Sequence, residues 1–357
     1  SYGNIPSENP EINGELLQTL SRIYWMTGEE KYLHYAVRLG DYYLLGGHHP
    51  TEDFTSLRLR DHGCEIVSGL CELYATLHYA DPAKKAEYQE SVHTMLDDIL
   101  AVGRNEHGLF YNTVNPQTGE ILNEGIADTW GYTYNGFYTV YLIDGIETYR
   151  QALLQAFENL EHYQHYDWES GSADGDADAI ESALNLYNRE PQQDVARWID
   201  SEIKFMWDKQ DHSPRDEEGR WNDSGVIEGW HGDGNFARTT IMYCLWKTQG
   251  VTVQPWRTDL QIGSVYDDGE LYIYLSAEKD WNGKIYFDLP RHQTILNLPI
   301  DWPRINQFPE WFTLQEDHLY QITDRMNNET QQIPGHELKN GYQVELKPGQ
   351  EMFLTVK

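Results

Sequence analysis

Residues Tyr24–Leu44 read YWMTGEEKYLHYAVRLGDYYL. The apolar residues recur at helical spacing on both sides of Thr27-Gly28. Glycine is the residue expected where a helix ends, because it takes the left-handed conformation at no cost. The stretch therefore predicts a helix end, a tight turn and a second amphipathic helix. The same scheme returns in VYLIDGIETYRQALLQAF, Val140–Phe157, with Asp-Gly at the turn. LHYADPAKKAEYQESVHTML repeats it with Asp-Pro, and LNLYNREPQQDVARWIDSEI with Arg-Glu-Pro. Proline suits the first turn of a helix, where its missing N–H is not needed.

The first helices of these hairpins are expected to start near Asn13, His62, Trp130, Asp176 and His231, a loose repeat. Each second helix is followed by a long polar loop, such as GRNEHGLFYNTVNPQTGEILNEGIAD. Short turns thus gather at one end of the hairpins and long loops at the other. That asymmetry predicts a mainly α fold, an (α/α)-toroid with a closed or an incomplete ring, with the long loops building one functional face. From about residue 260 the pattern changes to period two, in GELYIYLSAE, GKIYFDLP and YQVELKPGQEMFLTVK. Alternation with Gly, Asn-Gly and Pro-Gly turns predicts antiparallel strands. The expected division is a toroid over 1–255 and a small antiparallel β-sandwich or sheet domain over 256–357.

The chain of 357 residues carries 58 acidic against 26 basic side chains, a formal charge of -32. Such a field repels nucleic acid and anionic membranes, so neither is expected as a partner. No apolar run reaches the length of a membrane span. Three Cys with no CxxC and no disulfide framework fit a cytoplasmic or a periplasmic protein equally, and with no signal-peptide pattern the compartment stays open. Cys64 and Cys71 would lie about 10 Å apart along one helix, too far to bridge. The 12 Trp, 25 Tyr and 10 Phe residues fit either an aromatic core or sugar platforms.

The chemistry is expected where first helices meet long loops. In VIEGWHGDGNFARTTIMYCLWKTQG, Val226–Gly250, the second half is an ordinary core helix. The first half crowds Glu228, Trp230, His231, Asp233, Asn235 and Arg238 into one turn region, all costly to bury. LRLRDHGCEIVSGL offers Arg58, Arg60, Asp61, His62 and Glu65. ADTWGYTYNGFY offers Asp128, Trp130, Tyr132, Tyr134 and Asn135, and SADGDADAIESAL offers Asp174, Asp176, Asp178 and Glu181. Single acids at helix starts can be caps. Histidine, tryptophan, tyrosine and arginine at the same end are not explained by capping, and a shared pocket explains the set. Arg58 and Arg60, spaced by two, would share a face in an extended segment and grip a carboxylate or sulfate, or pair with local acids. Asp174, Asp176 and Asp178 have the spacing that opens a calcium loop, but Ala179 and Asn185 stand where such a loop needs Gly and Glu. No metal and no cofactor is expected.

With these residues in place the chain resembles carbohydrate-active (α/α)-toroid enzymes. DAIESALNL, Asp178–Leu186, is similar to the helix after the active-site loop of unsaturated uronyl hydrolases. The toroid-then-sandwich order is similar to polysaccharide lyases and some arabinofuranosidases. The resemblance implies a carbohydrate substrate. Two mechanisms stay open. A glycoside hydrolase, acting on a uronate-containing poly- or oligosaccharide, needs two carboxylates. Asp61, Asp128 and Asp178 are the first choices, with Trp130 and Trp230 as sugar platforms. A lyase or epimerase needs a base such as His62, Tyr132 or His231, and a neutraliser such as Asn135 or Arg238. Glu65, Tyr134, Glu228 and Asp233 are expected to bind substrate in either case. A sugar-binding protein without catalysis is the third reading.

Overall fold

Asn9 accepts the amide of Glu11 and Pro10 follows it, so α1 begins at Pro10 and runs to Thr27. Gly28 then takes φ 68, as the Thr-Gly turn predicted, and α2 spans Glu30–Leu44. The computed structural model describes residues 5–211, 232–304 and 308–357. Three more hairpins follow: α3 Glu65–Ala80 with α4 Pro82–Val102, α5 Trp130–Asp144 with α6 Glu147–Asn159, and α7 Ala173–Tyr187 with α8 Gln193–Asp211. Asp81 caps α4, Gly145 at φ 70 ends α5, and Ser172 caps α7 through the amide of Gly175. A ninth helix, α9, covers Gly232–Thr248.

The chain divides into two compact units: residues 1–239 with 296–307, and residues 240–295 with 308–357. In the helical unit α1, α3, α5 and α7 pack in succession, and each carries its own second helix behind it. This is the (α/α)-toroid arrangement, with four full hairpins among the described residues and the start of α9 following α7. Small residues set the spacing of the inner helices. A Cβ on Gly14 would lie 2.3 Å from the Glu65 carbonyl carbon, and one on Gly131 would lie 2.5 Å from Ser182 Cβ. Only glycine lets α1 approach α3, and α5 approach α7, this closely. The second approach brings Tyr132 beside the side chains of α7.

The loop after α4 holds more order than its polar composition suggests. It forms two strands, β2 Tyr111–Asn115 and β3 Glu120–Ile126, which join β1 Leu57–Arg58 from the loop after α2 in an antiparallel sheet of order β1-β2-β3. Leu57 and Val114 pair across it and are both buried.

On α8 the Glu202 carboxylate is buried, and both its oxygens accept the His165 amide at 3.1 Å. Burial pushes its pKa from 4.5 to about 7, with the nearby Asp176 charge adding to the rise. A carboxyl raised in the folded state stabilises fully below the unfolded pKa, and that contribution is lost as pH climbs to the folded one. Glu202→Gln keeps an acceptor for the amide and cannot ionise. It is expected to match the wild type in thermal melts at pH 4 and to melt higher at pH 8. Equal melting temperatures at both pH values would contradict the burial argument.

The second unit is an all-antiparallel pair of sheets. One has the order β10-β7-β4 and the other β5-β6-β11-β8-β9, formed by β4 Val251–Gln254, β5 Leu260–Asp267, β6 Glu270–Ala277, β7 Trp281–Phe287, β8 Leu319–Asp324, β9 Glu329–Pro334, β10 Tyr342–Leu346 and β11 Glu351–Val356. Alternate residues of both sheets, among them Val253, Ile285 and Val344 against Ile273, Ile322 and Leu354, share one core.

Candidate active site

The side chains at the starts of α3, α5, α7 and α9 do converge, and Tyr132 is the centre. Its hydroxyl meets Asp178 Oδ1 at 3.0 Å and Glu181 Oε2 at 3.2 Å, both from α7. Arg238 of α9 donates Nε to Glu181 Oε1 at 2.5 Å and Nη2 to Asp178 Oδ1 at 2.9 Å. Thr239 adds a bond to Glu181 Oε1 at 2.7 Å. The Asp178 side chain is 14% exposed, Glu181 wholly buried. Both contacts to Asp178 fall on Oδ1. Its Oδ2 has no hydrogen-bond partner among the described residues.

This arrangement holds protons. Burial raises the Asp178 pKa well above the ordinary carboxylate range, and the charges of Glu181, Asp128 and Asp174 add to the rise against Arg238. Glu181 is raised for the same first reason. Two carboxyl groups that meet one phenol oxygen titrate as a pair, and the last proton is hard to remove. Burial also raises Tyr132, helped by the same two carboxylates.

A second group stands at the starts of α3 and α5. Asp61 lies in a 3-10 turn, Asp61–Cys64, at φ 48, a conformation most non-glycine residues avoid. Asp128 secures it. Its Oδ1 accepts the amides of Thr129 at 2.9 Å and Asp61 at 3.4 Å. Asp128 is buried, and burial lifts its pKa, with Glu169 and Asp61 contributing repulsion. Asp61 itself is 31% exposed and takes a bond from Arg58, whose other arm reaches Glu11 at 2.9 Å. Strain held in place by buried partners is characteristic of functional positions.

On the α1 side of Tyr132, Glu65 accepts two parallel bonds from Arg304, at 2.8 and 2.9 Å, and one from Gln18. Burial alone would raise this carboxyl, but Arg304 and Gln18 outweigh it and hold it below its usual range. The Arg304 guanidinium also lies 3.7 Å from the centre of the Tyr132 ring.

Several expected site residues stand elsewhere. Trp130 has no open face: it is fully buried against Tyr134 and Phe157, so it packs the core and offers no platform to a sugar. Tyr134 turns the same way, and its hydroxyl donates to the Gly108 carbonyl at 2.5 Å. On a helix, Trp130 and Tyr134 are four apart and share one face, while Tyr132 projects to another. Arg58 does not wait for a substrate anion, since it pairs with Asp61 and Glu11. His62 is exposed beside Glu15, at 3.1 Å. Asn135 is buried, and its amide meets no partner among the described residues. Arg60 is half-buried and forms no ion pair among the described residues. Asp174, Asp176 and Asp178 diverge along α7, toward Asn235, Lys209 and Tyr132 respectively. Glu228, Trp230 and His231 lie outside the described residues, as does the side chain of Asp233.

Arg304 was not foreseen. It sits in DWPRINQFPE, inside the stretch read as strands, and carries no motif. The one usable signal is the failure of period-two alternation around it. Glu181 was visible on α7 but lies more than two turns past the helix start, away from the end taken to hold the chemistry.

No protein-family model and no curated protein matches the chain. Solved structures do. A glycoside hydrolase family 76 mannosidase from Bacteroides thetaiotaomicron VPI-5482 is similar at 16% identity over 66% of this chain and 70% of that one, TM-score 0.44. A D-mannose isomerase is similar at 12% identity over 69% and 72%, TM-score 0.46. The unsaturated glucuronyl hydrolase of Bacillus sp. GL1, responsible for glycosaminoglycan degradation, is similar at 13% identity over 65% and 74%, TM-score 0.41. Among the described residues no helix is long and apolar enough to cross a membrane.

Proposed function

We propose that the protein is a glycoside hydrolase with Asp178 as general acid and Asp61 as the opposing carboxylate. One observation carries the reading. The Asp178 side chain is 14% exposed, is held through Oδ1 by Tyr132 and Arg238, and is pushed toward its protonated form by burial and the neighbouring carboxylates. Oδ2 is then the oxygen that protonates the departing sugar oxygen. Asp61, the more exposed partner, activates water or attacks the anomeric carbon. Asp128 acts through Asp61 by fixing its backbone. The lyase reading loses support at Tyr132, because burial and two carboxyl groups oppose the phenolate that would serve as base.

The uronate-containing substrate remains part of the proposal. Arg58, Arg238 and Arg304 are each occupied by carboxylates, which leaves Arg60 to meet a sugar carboxylate. Arg60→Gln is expected to raise KM about tenfold for uronate oligosaccharides, the loss of one charged hydrogen bond, and to leave neutral ones alone. An equal effect on both would remove the uronate from the proposal.

The test of the acid is a pH–rate profile on polysaccharides, followed by released reducing ends. Activity is expected to fall as pH rises and the Asp178–Glu181 pair loses its last proton. A rate that climbs steadily into alkaline solution would favour a phenolate base and sink the assignment.

A further inference from the structure

Arg304 reaches the site on a segment that is firmly fastened to the helical unit. Trp302 is fully buried with Leu298, and both pack against Trp25 and Ile300. Arg189 donates to the Asp301 carbonyl at 2.7 Å and to its carboxylate at 2.8 Å. The Asn297 amide donates to the Trp25 carbonyl at 3.3 Å. At the end of this segment Arg304 takes φ 65, the left-handed region that a non-glycine residue enters only when its surroundings require it. The requirement is visible in the side chain. The edge of the guanidinium makes the paired bonds to Glu65, and the group stacks 3.7 Å from the Tyr132 ring centre. Only a planar, forked cation satisfies both at once.

The geometry points to Arg304 as a positioning residue: locked on Glu65, it fixes the Tyr132 ring so that the phenol stays between Asp178 and Glu181. This rests on the reading of Asp178 as the acid. A buried ion pair of this kind is not needed for stability, since apolar residues of similar volume often replace such pairs without loss. What apolar residues cannot supply is a fixed plane beneath the ring. If the ring tilts, the phenol leaves Oδ1, and Oδ2 no longer faces the leaving group.

Two variants separate positioning from support. Arg304→Lys keeps the charge and loses the fork. The double variant Glu65→Leu, Arg304→Met removes both charges together and leaves neither partner stranded. Each is expected to fold and to lower turnover about a hundredfold, the scale of a misplacement near 1 Å, with KM changed far less. A second readout does not depend on activity. The infrared band of the protonated Asp178 carboxyl, identified as the band lost in Asp178→Asn, is expected to shift or to titrate at a different pH in both variants. If the wild type cleaves no polysaccharide, the hydrolase reading fails while the band still decides the role of Arg304. Folded variants with wild-type turnover and pH profile, or with an unmoved band, would overturn the proposal.

Discussion

Asp178→Asn is expected to lower turnover by at least about a hundredfold, the usual contribution of a general acid. The folded protein should hardly notice the change. Burial pushes Asp178 toward its neutral form, which an amide resembles. The amide oxygen still accepts from Tyr132 and Arg238, as Oδ1 does now. What disappears is the proton on the other oxygen. Asp176→Asn, two residues earlier, is the control. Asp176 turns away to Lys209, and its replacement is expected to leave turnover unchanged. Kinetics of the two variants beside thermal melts check the claim. A large drop in melting temperature for Asp178→Asn would assign the residue to structure instead.

Glu65→Ala is expected to cost about 3–5 kcal/mol, because it strands a cation among buried groups. The Glu65 side chain is 5% exposed and that of Arg304 15%, so water screens the pair poorly. For a unit of this size the loss corresponds to a fall of roughly 10 °C in melting temperature. Replacing both residues together is expected to recover most of it. Calorimetry on the single and double variants measures the difference. A single variant that loses less than about 1 kcal/mol, the worth of an exposed pair, would show that the pair is not buried in solution.

Much of the fold was readable because local and global preferences agree. Gly28, Pro82 and Gly145 end or begin helices where a helix must stop, and the alternation after residue 260 matches strands buried on one face. The sheet after α4 was missed because β3 is largely exposed and its apolar residues, Ile121, Leu122 and Ile126, do not alternate. The grouping of Tyr132 with Asp178 and Arg238, and of Asp61 with Asp128, was legible because no cap requires such a set. Trp130 misled, since residue type says nothing of which helix face a ring occupies. Arg304 was hidden because its role depends on a fold-back of residues 296–307 to the helices, and such returns leave no periodic pattern.

The central claim is that Asp178 and Asp61 cleave a glycosidic bond by hydrolysis. One panel tests it most directly: wild type, Asp178→Asn and Asp61→Asn on neutral and uronate-containing polysaccharides, followed by reducing ends and by the ultraviolet absorbance of unsaturated uronates. Reducing ends without the chromophore, lost in both variants, are the predicted result. Reducing ends that appear together with the chromophore, or that persist at the wild-type rate in Asp178→Asn, would contradict the account.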